Sequence, residues 1–185
     1  MDAEGFEADL ELARRRYDDE DTSAFMLEAA RTESAGYCKQ TRVEEIMAFA
    51  NRLGAEHLGV AFCVGLAREA GLLRTILERN GFRVSSVCCK VGSIPKEEIG
   101  LTDAEKIRPG QYEAACNPVL QARLLDNAGA KLNIVVGLCV GHDSIFFKNS
   151  VAPVTVLVAK DRVLGHNPVA ALYTSRSCYS RLRCE

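Results

Sequence analysis

Tryptophan is missing from all 185 residues, and aromatic side chains together make up only 6%. A chain this poor in stacking surfaces lacks the platform that grips single-stranded nucleic acid. Excess charge is missing as well: 23 Lys and Arg stand against 25 Asp and Glu, a net −2. No global field therefore recruits nucleic acid or anionic lipid. No apolar run nears the roughly 18 residues of a membrane span. The start, Met1-Asp-Ala-Glu-Gly-Phe-Glu7, is acidic where a secretory signal has its apolar core. A soluble, cytoplasmic protein with no nucleic-acid or membrane partner is expected.

Several catalytic signatures are absent too. There is no phosphate-binding Walker loop and no Gly-x-Gly-x-x-Gly after a strand, hence no nucleotide motif, and Ser144 lacks a nucleophile-elbow context. Eight cysteines fall below the density of a disulfide-stapled scaffold. None form Cys-x-x-Cys, so zinc-ribbon and thioredoxin-type sites lack their local signature. In a cytosolic setting most of these thiols are expected to be reduced.

What the chain has instead is a device used three times. Asn133 to Leu138 is a short, β-branched, apolar run that reads as a strand buried on both faces, and it ends in Cys139, Gly141, His142 and Asp143. Val60-Ala-Phe-Cys63-Val-Gly65 and Val87-Cys88-Cys89-Lys-Val-Gly92 repeat the ending. In an open α/β sheet, ligands bind beyond the carboxyl ends of the strands. Three thiol-bearing ends converge on that place.

The rest of the pattern gives the fold. A charged helix over 7–17 and a second helix from an N-cap at Ser23 to about Ser34 carry no motif. Thr41-Arg-Val-Glu44 is a capping box, and Val43, Ile46, Met47, Ala50 and Leu53 follow at helical spacing. Strands over 58–63, 82–89, 133–138 and 154–159 alternate with helices, which implies βαβ units and a parallel sheet. Asn117-Pro118 opens a helix after a long connection over 90–116. The expected fold is α/β: one doubly wound (Rossmann/flavodoxin-like) domain over 41–185, its parallel sheet of at least four strands ordered 2-1-3-4. A helical extension over 1–40 precedes it.

Three chemistries fit the convergence. Thiolates select soft metals, so Cys63, Cys88 or Cys89, and Cys139, with His142 beside them, would bind zinc or an iron–sulfur cluster. Without a metal, Cys139 would act as nucleophile with His142 as base and Cys63 as resolving thiol, in redox or sulfur transfer. Asp143 complements the helix dipole in that set. The helix end lowers the pKa of Cys139, which is expected to be the most acidic thiol. The third is a module that holds a small anion at the helix N-termini. Gly65, Gly141, Asn117, Lys160, Arg162 and His166 stand where a small ligand would meet the chain. The partner is a small molecule or a metal ion, and assembly into a homo-oligomer stays open.

Four strings, Ser86-Val-Cys-Cys-Lys-Val-Gly92, Cys116-Asn-Pro118 with Gln121-Ala122, Gly137-Leu-Cys-Val-Gly-His-Asp-Ser144, and Lys160-Asp-Arg-Val-Leu-Gly-His-Asn-Pro168, together carry a resemblance. Over 41–173 the chain resembles a family of cysteine-rich microbial proteins known as a domain of unknown function and labelled metal-binding in some members. The resemblance implies no established activity. Longer members have extra amino-terminal cysteines, whereas this chain has none before Cys38. Any metal here would have to use the thiols at the strand ends.

Overall fold

The computed structural model describes residues 3–183. Cys184, which the sequence places in the basic tail, lies outside the described residues. Contacts divide the chain into two compact units, Met1–Ala55 and Glu56–Glu185.

The first unit holds three helices: α1 (Ala3–Tyr17), α2 (Glu20–Gly36) and α3 (Arg42–Arg52). It therefore takes in α3 as well as the two helices ahead of it. The N-cap of α2 is Asp19 and not Ser23. Its Oδ1 accepts the Thr22 N–H at 3.0 Å and the Thr22 hydroxyl at 2.9 Å. The acidic run that reads as an interruption is thus a cap followed by a first turn, where carboxylates complement the helix dipole. Thr41 caps α3 as its capping box requires: its Oγ1 accepts the Glu44 N–H at 3.4 Å, and Glu44 Oε2 accepts the Thr41 N–H at 2.7 Å. Phe25 and Phe49 join α2 to α3 edge to face, with centroids 4.9 Å apart.

The second unit is an α/β domain. Its strands are β1 (His57–Phe62), β2 (Arg83–Cys88), β3 (Leu132–Val136) and β4 (Val154–Val158). All pair in parallel, in the order β2-β1-β3-β4. The central strands β1 and β3 are almost wholly buried and the edge strands β2 and β4 only in part. This gradient explains why the central pair reads as unbroken apolar sequence.

Between β1 and β2 runs α4 (Ala67–Arg79), which packs on both strands. Its buried stripe is Ala70, Leu73 and Leu77, spaced for one helix face. A second core gathers Ala61 of β1 and Val135 of β3 with Ala122 and Leu125 of α5 (Pro118–Asn127) and Phe146 of α6 (His142–Asn149). Ala61 and Val135 are register partners, and strand alternation turns their neighbours Val60 and Ile134 to the opposite face. A short α7 (Val169–Tyr173) follows β4.

The sheet is thus built around the pair β1 and β3, from which connections leave in opposite directions. Both strands point their carboxyl ends at one crevice.

Candidate functional site

The crevice starts where β1 runs out. The Cys63 N–H donates to the Val136 carbonyl at 3.1 Å and the Cys89 N–H to the Phe62 carbonyl at 2.8 Å. The ladder therefore continues one residue past both strands. Phe62 is the partner of Cys88, so the next step sets Cys63 opposite Cys89, on strands about 4.8 Å apart. Both side chains are buried, packed with Ala122, Leu125 and Phe146. Of the adjacent pair Cys88 and Cys89, it is Cys89 whose thiol hydrogen-bonds to Cys63.

A third thiol completes the run. Cys116 also hydrogen-bonds to Cys89, and the Asn117 N–H donates to the Cys89 carbonyl at 2.8 Å. Cys116 stands at the end of the long connection, so its arrival depends on how that loop is folded. Pro95 and Ala114 form an antiparallel bridge. Lys96 pairs with Glu113 at 2.5 Å, both side chains mostly buried. Lys106, its side chain 4% exposed, pairs with Glu97 and Asp103 at 2.7 Å each and donates to the Gln111 carbonyl at 2.6 Å. Lys90 donates to the Ala114 carbonyl at 2.5 Å. The loop is a set of ion-paired turns that brings residues 114–117 back to the end of β2.

Charge is distributed unevenly along the three sulfurs. Cys63 is held well below the usual thiol range by its hydrogen bond from Cys89, with the Gly65 N–H and the Lys160 ammonium adding to it and burial opposing. Cys116 is lowered first by Cys89 and then by Lys90 and His142. Cys89 moves the other way, pushed up by its bonds to Cys116 and Cys63 and by burial, against a Val64 N–H that reaches its Sγ at 3.3 Å. The common cause is the central Cys89, whose S–H favours the anionic form of its neighbours while burial and those neighbours keep its own proton in place.

Cys139 faces the same space. Arg162 donates from Nη2 to its Sγ at 3.0 Å, and the guanidinium also feels the charge of Cys63 and Cys116. Lys160 reaches in beside Gly65. A Cβ built on Gly65 would lie 3.3 Å from Lys160 Nζ and 4.0 Å from Cys63 Sγ, so the missing side chain is the space the ammonium uses. Gly137 serves a different need: its φ is +64°, and a Cβ there would strike Leu66 Cδ1 at 2.0 Å. Only glycine lets β3 leave the sheet at that point with Leu66 packed over it.

The remaining sequence-predicted residues divide between crevice and scaffold. Gly141, at φ +84°, is the N-cap of α6, and the His142 and Asp143 N–H groups donate to the Cys139 carbonyl at 2.9 and 3.1 Å. His142 acts on Cys116 electrostatically, and its Nδ1 is buried without a partner. Asp143 turns to its own helix, its Oδ1 accepting the Ser144 N–H at 2.8 Å. Asn117 caps α5, its Oδ1 accepting the Leu120 N–H at 3.0 Å. His166, at φ +66°, folds back on the preceding turn, where Nδ1 accepts the Asp161 N–H at 3.1 Å. It lines a separate cavity of about 390 Å³ with Leu66, Glu69 and Gly165.

Two participants escaped the sequence-level assignment, Cys116 and Lys90. Cys116 showed in the sequence only through its place just before the Asn117 cap and in one of the strings that carry the family resemblance. All seven described cysteines are free. Among the described residues, no group of three or more His, Cys, Asp and Glu side chains stands in an arrangement that would hold a metal ion. None of the described helices is long and apolar enough to cross a membrane.

Comparison with known proteins places this geometry in context. A family model described as a protein of unknown function, DUF1847, matches residues 2–157. The chain is similar to the uncharacterised protein MJ0455 of Methanocaldococcus jannaschii, with 47% identity over 146 residues, 79% of this chain and 74% of that protein. No solved structure matches.

Proposed function

The chain belongs to the DUF1847 family, and from that premise and its crevice we propose that it is a thiol-reaction protein, working by redox or sulfur transfer at its strand ends. The observation that carries this is the hydrogen-bonded run Cys63–Cys89–Cys116 with a lysine at either end, Lys160 by Cys63 and Lys90 by Cys116. A thiolate is the nucleophile in thiol chemistry, and neighbouring cations and N–H donors are what maintain it near neutral pH. Arg162 on Cys139 extends the same electrostatic environment to a fourth sulfur. Cations set among sulfurs also suit an anionic small molecule, so the substrate and the thiolates are stabilised by the same groups.

Site-resolved alkylation of reduced, metal-free protein tests this between about pH 5 and pH 9. Cys116 and Cys63 should keep their labelling rate well below the ordinary thiol midpoint. Free glutathione labelled alongside, as an ordinary thiol, loses about tenfold per pH unit below its midpoint. If Cys63 and Cys116 follow that same curve, the site holds no special thiolates and the proposal fails.

A second reading starts from the buried, unpartnered Nδ1 of His142 near Cys116; Cys63, Cys89, Cys116 and Cys139 do not form a metal site as they stand, so a metal would have to draw these side chains together on binding. These are the ligand types that zinc and iron–sulfur clusters select. Elemental analysis and an absorption spectrum of anaerobically purified protein separate the two. Stoichiometric metal would make this a metal centre, and its loss on chelation would return the thiolates.

A further inference from the structure

Cys89 stands between the other two, opposite Cys63 in the continued ladder and tied by its carbonyl to the Asn117 N–H next to Cys116, and this gives the run a direction of transfer. We propose that Cys116, Cys89 and Cys63 form a disulfide relay, in which a bond made at the partly buried Cys116 with a low-molecular-weight disulfide is passed through Cys89 to the fully buried Cys63. The inference rests on the thiol reading above and adds the substrate class, the order of the steps and a role for Cys116.

The geometry supports each link. Cys63 and Cys89 continue a parallel register, and the strand spacing of about 4.8 Å lies within the Cα separations of about 4.4–6.8 Å that a disulfide spans. Cys116 is held to Cys89 by the thiol hydrogen bond and by the backbone bond from Asn117 to the Cys89 carbonyl. Cys116 is only partly buried, whereas Cys89 and Cys63 lie in the core, at 2% and 6% exposure. A small disulfide therefore meets Cys116 first.

The steps balance without a further oxidant. The Cys116 thiolate attacks one sulfur of the small disulfide RS–SR, whose S–S bond breaks and whose other half leaves as RS⁻. The Cys63 thiolate takes the Cys89 proton, the Cys89 thiolate so formed attacks Cys116 Sγ in the mixed disulfide, a second RS⁻ leaves, and Cys63 gives the proton to that departing thiolate. The Cys63 thiolate attacks Cys89 Sγ, the Cys89–Cys116 bond breaks, and Cys116 is released as a thiolate. Overall, two protein thiols are oxidised and one RS–SR is reduced to two thiols. The disulfide ends in the core, and Cys116 is free to react again.

The test uses full-length reduced protein and oxidised glutathione, with acid-quenched time points, alkylation of free thiols and disulfide mapping by mass spectrometry. In the unmodified chain, glutathione should appear on Cys116 first, then Cys89–Cys116, then Cys63–Cys89 growing as Cys89–Cys116 falls. Cys63→Ser should stop at Cys89–Cys116. Cys116→Ser should slow formation of Cys63–Cys89 by at least about tenfold, since entry is then limited to a buried sulfur. Cys89→Ser should accumulate the mixed disulfide on Cys116. The relay is overturned if Cys116→Ser forms Cys63–Cys89 at an unchanged rate, or if Cys89→Ser joins Cys63 directly to Cys116. Should a variant fail to fold, the order of bonds in the unmodified chain decides alone. A chain that keeps the acidic labelling profile yet forms no bond through Cys89 sinks the relay only. Loss of that profile sinks the thiol reading itself.

Discussion

Replacing Cys89 by alanine removes the donor on which both acidic thiols depend. The Cys89 hydrogen bond is the largest cause lowering Cys63 and also the largest lowering Cys116. A hydrogen bond to a charged group contributes about 1.5–3 kcal/mol, and one pKa unit corresponds to about 1.36 kcal/mol. The loss thus corresponds to a rise of about 1–2 units. A single S–H can donate to only one neighbour at a time, so that rise is shared between Cys63 and Cys116 rather than suffered by each in full. The sign is fixed: the donor stabilises the thiolate, so its removal moves both titrations upward, towards the ordinary thiol.

Cys89→Ser is the matched control, because a hydroxyl still donates. Alkylation profiles read at Cys116 and Cys63 should therefore shift upward in the alanine variant and much less in the serine variant. Lys160→Met should raise Cys63 alone, and Lys90→Met should raise Cys116 alone, since each ammonium serves one sulfur. If the alanine variant leaves both profiles where they were, the shared-donor account of these thiols is wrong. Equal shifts for alanine and serine would show that packing around Cys89 matters and its hydrogen does not.

Other perturbations probe the scaffold. Thr41→Ala should cost about 1 kcal/mol through the lost N-cap of α3, lowering the midpoint of chemical unfolding while leaving thiol labelling unchanged. Gly137→Ala should destabilise by about 1–3 kcal/mol, because it combines a positive φ with a collision on Leu66; an unchanged thermal midpoint would mean β3 can leave the sheet another way. Lys106→Met leaves Glu97 and Asp103 without their common cation, so limited proteolysis over 91–116 should quicken and the labelling rate of Cys116 should change with it.

The fold was legible because its signals were local. Short apolar runs of five or six residues alternating with apolar stripes at helical spacing dictate βαβ units, and right-handed crossovers leave few orders for four strands. The order β2-β1-β3-β4 follows, as does the meeting of strand ends at one crevice. Local signals failed where two chemistries competed for the same residues. Asp18-Asp-Glu-Asp21 reads as a break by charge but serves as cap and first turn by hydrogen bonding.

Cys116 shows where such reasoning ends. Its neighbours in sequence announce a helix cap and nothing about sulfur. What brings it to Cys89 is a sum of long-range contacts: the Lys96–Glu113 pair, Lys106 among its acids, and the Pro95–Ala114 bridge. Each residue in that set looks like ordinary surface charge when taken alone, and exposed pairs are generally worth little. Here the ammonium of Lys106 is buried and the Lys96 and Glu113 side chains are mostly covered, so leaving one partner alone would strand a charge away from water. That penalty fixes the loop, and the loop fixes the third sulfur. The strand ends supply two of the three clustered thiols through local rules, while the third depends on a charged loop whose geometry becomes apparent only when the chain is closed.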